Sequence, residues 1–146
     1  MSGRKKRKGP CQEAISLTAE RIDELLKFLP VFENPSRELV DVVGWQESPD
    51  GSYTMPYAIY DDEVDSFFEK AHQLWWRDYD YTKKDVNRML DDDEFIAQAS
   101  LSDLKTMITW CARGERFCDG LWKAVMDDGT IVKLLKRLEI LRRNLD

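Results

Sequence analysis

Apolar residues recur along this chain with two different periods, and the change from one to the other divides it. Val64, Phe67, Phe68, Ala71 and Trp75 follow i, i+3, i+4, i+7 and i+11. That spacing gathers side chains on one face of an α-helix. Asp61 or Asp62 can cap this helix, and the acids Asp61, Asp62 and Glu63 stand where the helix dipole favours negative charge. An earlier stripe of Ile22, Leu25, Leu26 and Leu29 predicts a first helix, with Thr18 as N-cap, Leu17 and Ile22 as a hydrophobic staple, and Pro30 as its end.

Between these two helices the pattern differs. Leu39 to Trp45 is valine-rich, Ser48-Pro49-Asp50-Gly51 has turn chemistry, and Tyr53 to Tyr60 returns with Tyr, Thr and Ile, which predicts a β-hairpin. Pro56 has no N–H to donate, so it puts the second strand at an edge or interrupts it. Two strands alone are marginal in water, so the hairpin is expected to pack on helices.

After Trp75 the chain reads as helical to its end. A short helix is expected over Thr82 to Leu90, then a turn or two around Phe95, Ile96 and Ala99. Leu101, Leu104, Ile108 and Cys111 share a face of a helix capped by Ser100 or Ser102 and stopped by Gly114. Phe117, Leu121, Trp122 and Val125 predict another helix, which Asp128-Gly129 breaks. Ile131, Leu134, Leu135, Leu138 and Leu141 or Leu145 predict a long last one. The fold class is therefore mainly α (α+β): a compact helical domain of about six helices with one small β-hairpin.

Between the helix stopped by Gly114 and the one that follows lies Arg113-Gly114-Glu115-Arg116-Phe117-Cys118-Asp119-Gly120. Two glycines and four charged residues in eight positions mark a tight connection set by its side chains. With Gly129-Thr130-Ile131 and Leu135-Lys136-Arg137-Leu138 behind it, this block resembles the R-x-E-R-F-C-[DE]-G, G-x-[IV] and L-x-R-L pattern of a small prokaryotic family of unknown function. The resemblance runs from Leu25 to about Leu141 and includes Phe28-Leu29-Pro30 and Pro56-Tyr57-Ala58-Ile59-Tyr60. It implies an architecture and no activity.

Charge changes the picture at one end only. The chain of 146 residues has a formal net charge of -6, yet Arg4, Lys5, Lys6, Arg7 and Lys8 are all positive, so the remainder is more acidic than the total suggests. Residues 1–12 read as a flexible basic arm and 13–146 as a single α-rich domain. The arm is the candidate polyanion contact, able to hold nucleic acid by counterion release or, in a eukaryotic host, to serve as a nuclear localisation signal. A solubilising tail is the plainer reading. No run of apolar residues suits a membrane span or a secretory leader, so the cytoplasm is the expected location.

The chemistry on offer is sparse. Cys11, Cys111 and Cys118 are an odd set without CxxC, which argues against a disulfide framework and against a zinc module. Asp91 to Glu94 and Asp127-Asp128 lack the alternation and central glycine of a calcium loop, and no phosphate loop, GxSxG elbow or HExxH helix occurs. No metal, no cofactor and no catalytic residue is expected. A dyad of Cys118 with His72 and Asp119 can be written, but a cysteine beside Phe117 in an amphipathic helix is more often a small buried hydrophobe.

Arg113 and Arg116 are the candidate anion-binding residues, since two guanidinium forks near a helix junction can hold phosphate or carboxylate. The architectural alternative pairs Arg116 with Asp119 as a structural ion pair. Trp75, Trp76, Tyr79 and Tyr81 form the candidate partner surface, where Asp78 and Asp80 favour a protein over nucleic acid. A loop folded back to bury those rings is the competing reading. The sequence thus points first to a non-catalytic cytoplasmic binding or interaction module with a protein partner. Behind it stand a nucleic-acid accessory protein tethered by its arm and a small enzyme or anionic-ligand sensor built on the block from Arg113 to Asp119.

Overall fold

A computed structural model describes residues 16–145. Among the described residues eight α-helices and one β-ribbon make up the domain. Helices α1 (Ala19–Leu26) and α2 (Leu29–Glu33) come first, followed by strands β1 (Val40–Val43), β2 (Gln46–Glu47), β3 (Tyr53–Thr54) and β4 (Tyr57–Tyr60). Then come α3 (Asp62–Ala71), two single 3-10 turns at Leu74–Trp76 and Tyr81–Lys83, α4 (Val86–Leu90) and α5 (Asp93–Ala97). The last three are α6 (Leu101–Gly114), α7 (Leu121–Asp127) and α8 (Thr130–Arg143). The mainly helical α+β class read from the sequence is the observed one. The two helices beyond the expected six are the five-residue α2 and α5. Pro30 does not end α1 but sits in the first turn of α2, where its missing N–H has no partner to lose.

Local chemistry accounts for the helix starts. The Thr18 hydroxyl accepts from Arg21 N–H, Asp61 from Glu63 N–H, and Asp92 from the N–H groups of Glu94 and Phe95. Ser100 and Asp103 close a reciprocal capping box at the start of α6. Such caps each contribute about 0.5–2 kcal/mol.

The four strand segments form one interrupted hairpin. Val40 pairs with Tyr60 and Val43 with Tyr57 in β1–β4, and Gln46 pairs with Thr54 in β2–β3. One register runs through both pairs and puts Gly44 opposite Pro56, where the ladder lapses because proline has no proton to give. At the tip Gly51 takes φ +87°, and Asp50 accepts from both the Ser52 N–H and hydroxyl.

The core is built around α6 and α8, which pack on each other; α8 also meets α1, α2, α5 and α7, and α6 meets α3, α4 and α7. Ile22, Leu25, Phe67, Phe68, Leu104, Met107, Leu134 and Leu138 are essentially inaccessible. Phe28 and Phe32 meet Phe67 edge-on, and Phe67 meets Phe68 in the same way. Each buried side chain of this size contributes about 1.5–3 kcal/mol. The ribbon stands apart from this core: Leu39 and Tyr60, at its base, are what packs against it. Among the described residues no helix is long and apolar enough to cross a membrane.

Candidate functional site

The block from Arg113 to Gly120 is the hinge between α6 and α7, and its central side chain is Glu115. Gly114 closes α6, and a methyl group there would lie 1.9 Å from Leu121 Cδ2, so the two helices approach closely and the Leu121 side chain would have to turn aside for a larger residue. The Glu115 carboxylate then accepts from the Gly120 N–H at 3.0 Å and the Trp122 N–H at 2.9 Å, satisfying donors at the start of α7. Both of its oxygens lie 3.0 Å from the Tyr60 hydroxyl, which in turn accepts from Lys123 N–H at 3.3 Å. One carboxylate therefore ties α6, α7 and the base of the ribbon together. Burial first, then the hydrogen bond to Glu115 and the charge of that carboxylate, raise the Tyr60 phenol above its ordinary value.

The architecture of the block thus rests on Glu115, a residue not singled out from the sequence, and not on the expected pair of Arg116 with Asp119. Both of those side chains are exposed, and no ion pair joins them among the described residues. Two further expectations fail here. Phe117 precedes α7 instead of belonging to it and is 73% exposed. Cys118 is exposed as well, whereas Cys111 is the buried thiol, its pKa pushed up to about 12 chiefly by burial.

Beside this hinge opens a cleft of about 430 Å³ lined by His72, Arg77, Arg113, Glu115, Arg116 and Trp122, with Ala112 completing the wall. It is assembled from four places in the fold. His72 ends α3 and binds the Phe68 carbonyl through Nδ1 at 2.7 Å, so its other ring nitrogen is the one open to a ligand. Arg77 follows the Leu74–Trp76 turn and donates from Nε to the His72 carbonyl at 3.1 Å. Arg113 lies in the last turn of α6, with its guanidinium carbon 6.0 Å from the centre of the Tyr81 ring. Trp122 forms a firm wall: its indole donates to the Cys111 carbonyl and stacks on Phe68 at 4.1 Å and 8°.

The electrostatics of the cleft are unusual for an acidic protein. Three guanidiniums face one carboxylate, and that carboxylate is already engaged by Tyr60, Gly120 and Trp122. Among the described residues Arg77, Arg113 and Arg116 have no carboxylate partner, and Arg113 Nε is buried with no hydrogen-bond partner at all. A buried donor left unmatched costs about 1–3 kcal/mol. Arg113 and Arg116, expected to share an anion site, line the same cleft, joined by His72 and Arg77, which the sequence did not place there. Cys118 and Asp119 are not among the lining residues, and among the described residues no hydrogen bond joins either to His72.

The aromatic surface expected at Trp75, Trp76, Tyr79 and Tyr81 is taken up largely by the fold. Trp76 is 1% exposed, and its carbonyl accepts from the Thr109 hydroxyl of α6 at 3.0 Å. Arg21 covers the Trp75 ring at 3.9 Å, Tyr81 is part-buried, and only Tyr79, at 70%, is open. Buried hydroxyls draw the loop inward: Thr109 also accepts the Asp78 N–H, and Thr106 donates to the Asp78 carboxylate, which Lys84 reaches at 2.7 Å. Burial alone would raise the Asp78 pKa, but Lys84, Thr106 and the Asp80 N–H together hold it below the ordinary value. Arg4, Lys5, Lys6, Arg7 and Lys8 lie outside the described residues. Among the described residues no group of acids, histidine and cysteine is arranged to hold a metal ion.

A helical domain whose helix junction is locked by a carboxylate beside an arginine-lined cleft is the class that fold and site define. A family profile matches residues 17–144, and the chain belongs to that family, a family of unknown function (DUF6508). No match was found among curated proteins or among solved structures.

Proposed function

We propose that this protein is a non-catalytic binding module whose ligand is a small molecule bearing a phosphate or carboxylate, seated in the cleft between His72, Arg77, Arg113 and Arg116. The observation that carries this reading is the Arg113 guanidinium, with Nε buried and unmatched beside two further arginines that have no acidic partner among the described residues. Guanidinium forks match the paired oxygens of such groups, and their charge survives at any physiological pH. The formal excess of two positive charges in the cleft suits a dianion better than a single carboxylate. His72, held through Nδ1 by the Phe68 carbonyl, turns its other ring nitrogen to the cleft as a further polar contact beside the guanidiniums.

Titration calorimetry with inorganic phosphate, pyrophosphate and citrate as probes tests this reading. Binding that weakens at least tenfold in Arg116→Ala, with the melting temperature unchanged, is the expected result. Equal affinity in the wild type and in Arg116→Ala would place any anion binding elsewhere.

A further inference from the structure

The continuous register of the ribbon sorts its side chains cleanly. Val40, Val42, Ala58 and Tyr60 share one face, of which Tyr60 at the base packs on the helical body while Val42 stays open at 51%. The opposite face holds Val43, Trp45, Tyr53, Met55, Tyr57 and Ile59, with Asp41 and Glu47 among them. Five of these large side chains are open: Trp45 65%, Tyr53 64%, Met55 69%, Tyr57 42% and Ile59 49% exposed. Among the described residues none of the five packs against the core. An apolar row at alternate positions on both strands of one ribbon is the pattern of a covered sheet face.

We infer that a second copy of this chain covers this face, through a two-fold contact of ribbon on ribbon. Area supports that occupant. An aromatic side chain offers about 150–250 Å² and Met and Ile somewhat less, so the five leave on the order of 600 Å² open per copy. Two copies facing each other would then bury about 1,200 Å², the lower edge of the range for stable interfaces. A patch of that size sits at the top of what monomeric proteins expose, about 300–600 Å². A two-stranded ribbon is also marginal in water, and facing ribbons supply each other's missing layer. Charge works against the contact only weakly. Asp41 and Glu47 stand towards the two ends of the row, where rim charges act through solvent and are screened within about 10 Å at 0.1 M salt.

Sedimentation equilibrium of the full chain over micromolar to near-millimolar concentration tests the inference. The expected mass rises from 17.1 kDa towards twice that value, and added salt tightens the dimer by screening the acidic rim. Trp45→Glu should weaken it at least about 30-fold, the factor set by a central aromatic anchor. Tyr79→Glu, an equally exposed ring outside the ribbon, should not. Trp45 makes no core contact among the described residues, so the melting temperature of the monomer serves as the folding control. A single-chain mass throughout, a dimer indifferent to Trp45→Glu, or a dimer loosened by salt would each overturn the inference. A monomer whose ribbon binds a different protein counts among the first of these.

Discussion

The Tyr60 hydroxyl lies 3.0 Å from each oxygen of the Glu115 carboxylate, and this contact joins the last residue of the ribbon to the turn that ends α6. The same carboxylate holds the Gly120 and Trp122 N–H groups, so removing it strands several donors at once. Glu115→Ala should destabilise the domain by about 2–4 kcal/mol and Tyr60→Phe by about 1–2 kcal/mol. In the double mutant the two losses should fall short of adding, because they remove one shared interaction. Urea midpoints for the four proteins measure this, and full additivity would show that the two side chains act apart.

The raised phenol gives the same contact a signature in alkali. Tyr60 keeps its proton in the folded chain at pH values where the unfolded chain has lost it, so unfolding releases a proton. The stabilisation is whole below the unfolded value of about 10 and declines as pH rises from there towards the folded value. Stability of the wild type should therefore fall more steeply above pH 10 than that of Tyr60→Phe, by up to about 1.4 kcal/mol per pH unit. Parallel slopes in the two proteins would remove Tyr60 as the cause.

What the sequence disclosed and what it withheld divide by distance along the chain. Thr18, Asp61 and Ser100 cap their helices through partners within three residues, so their roles could be read directly. Glu115 escaped notice because Tyr60 lies 55 positions away; its one local signal is its place between two arginines, five residues before a glycine. Phe117 stands four before Leu121 and mimics a helical stripe, but the turn between the helices swings it into solvent. Trp75 and Trp76 are neighbours that no period separates, and Thr109 on a distant helix decides which one is buried. For the same reason the pairing of Arg113 with Arg116 was legible, while His72 and Arg77 reached the cleft only through tertiary packing.

Gly114 is needed for space and not for backbone freedom. An added methyl would meet Leu121 Cδ2 at 1.9 Å, so Gly114→Ala should cost about 1–3 kcal/mol despite the better helix propensity of alanine. Truncating the neighbour tests the cause. In a Leu121→Ala background the same substitution should be neutral or stabilising, and a cost that persisted there would point to the backbone.

The two described thiols should part company in labelling. Cys118 is exposed, whereas Cys111 is buried with its pKa pushed up to about 12. The thiolate is the reactive form, so iodoacetamide at pH 8 should modify Cys118 in the native protein and reach Cys111 only on unfolding. Peptide mass spectrometry reads both sites. Because Cys118 does not line the cleft, its carboxamidomethyl derivative should bind phosphate as the unmodified protein does. Equal labelling of both cysteines under native conditions would contradict the packing of α6.

Arg113 separates a strut from a waiting ligand contact, since the two roles give opposite signs. A strut holds an acidic partner, and its loss exposes that partner, which typically costs 3–5 kcal/mol when the pair is buried. Arg113 has no such partner among the described residues, and its Nε already bears the cost of burial without a hydrogen bond. Arg113→Met keeps most of the apolar stem while removing the unmatched donors. The free protein should therefore hold its stability or gain up to about 1 kcal/mol. Phosphate or pyrophosphate binding should meanwhile weaken tenfold or more, through the loss of a guanidinium from the cleft. Chemical denaturation with and without the anion measures both halves on one sample. A fall of more than about 2 kcal/mol without the anion would make Arg113 a structural residue and remove the main support for a ligand in this cleft.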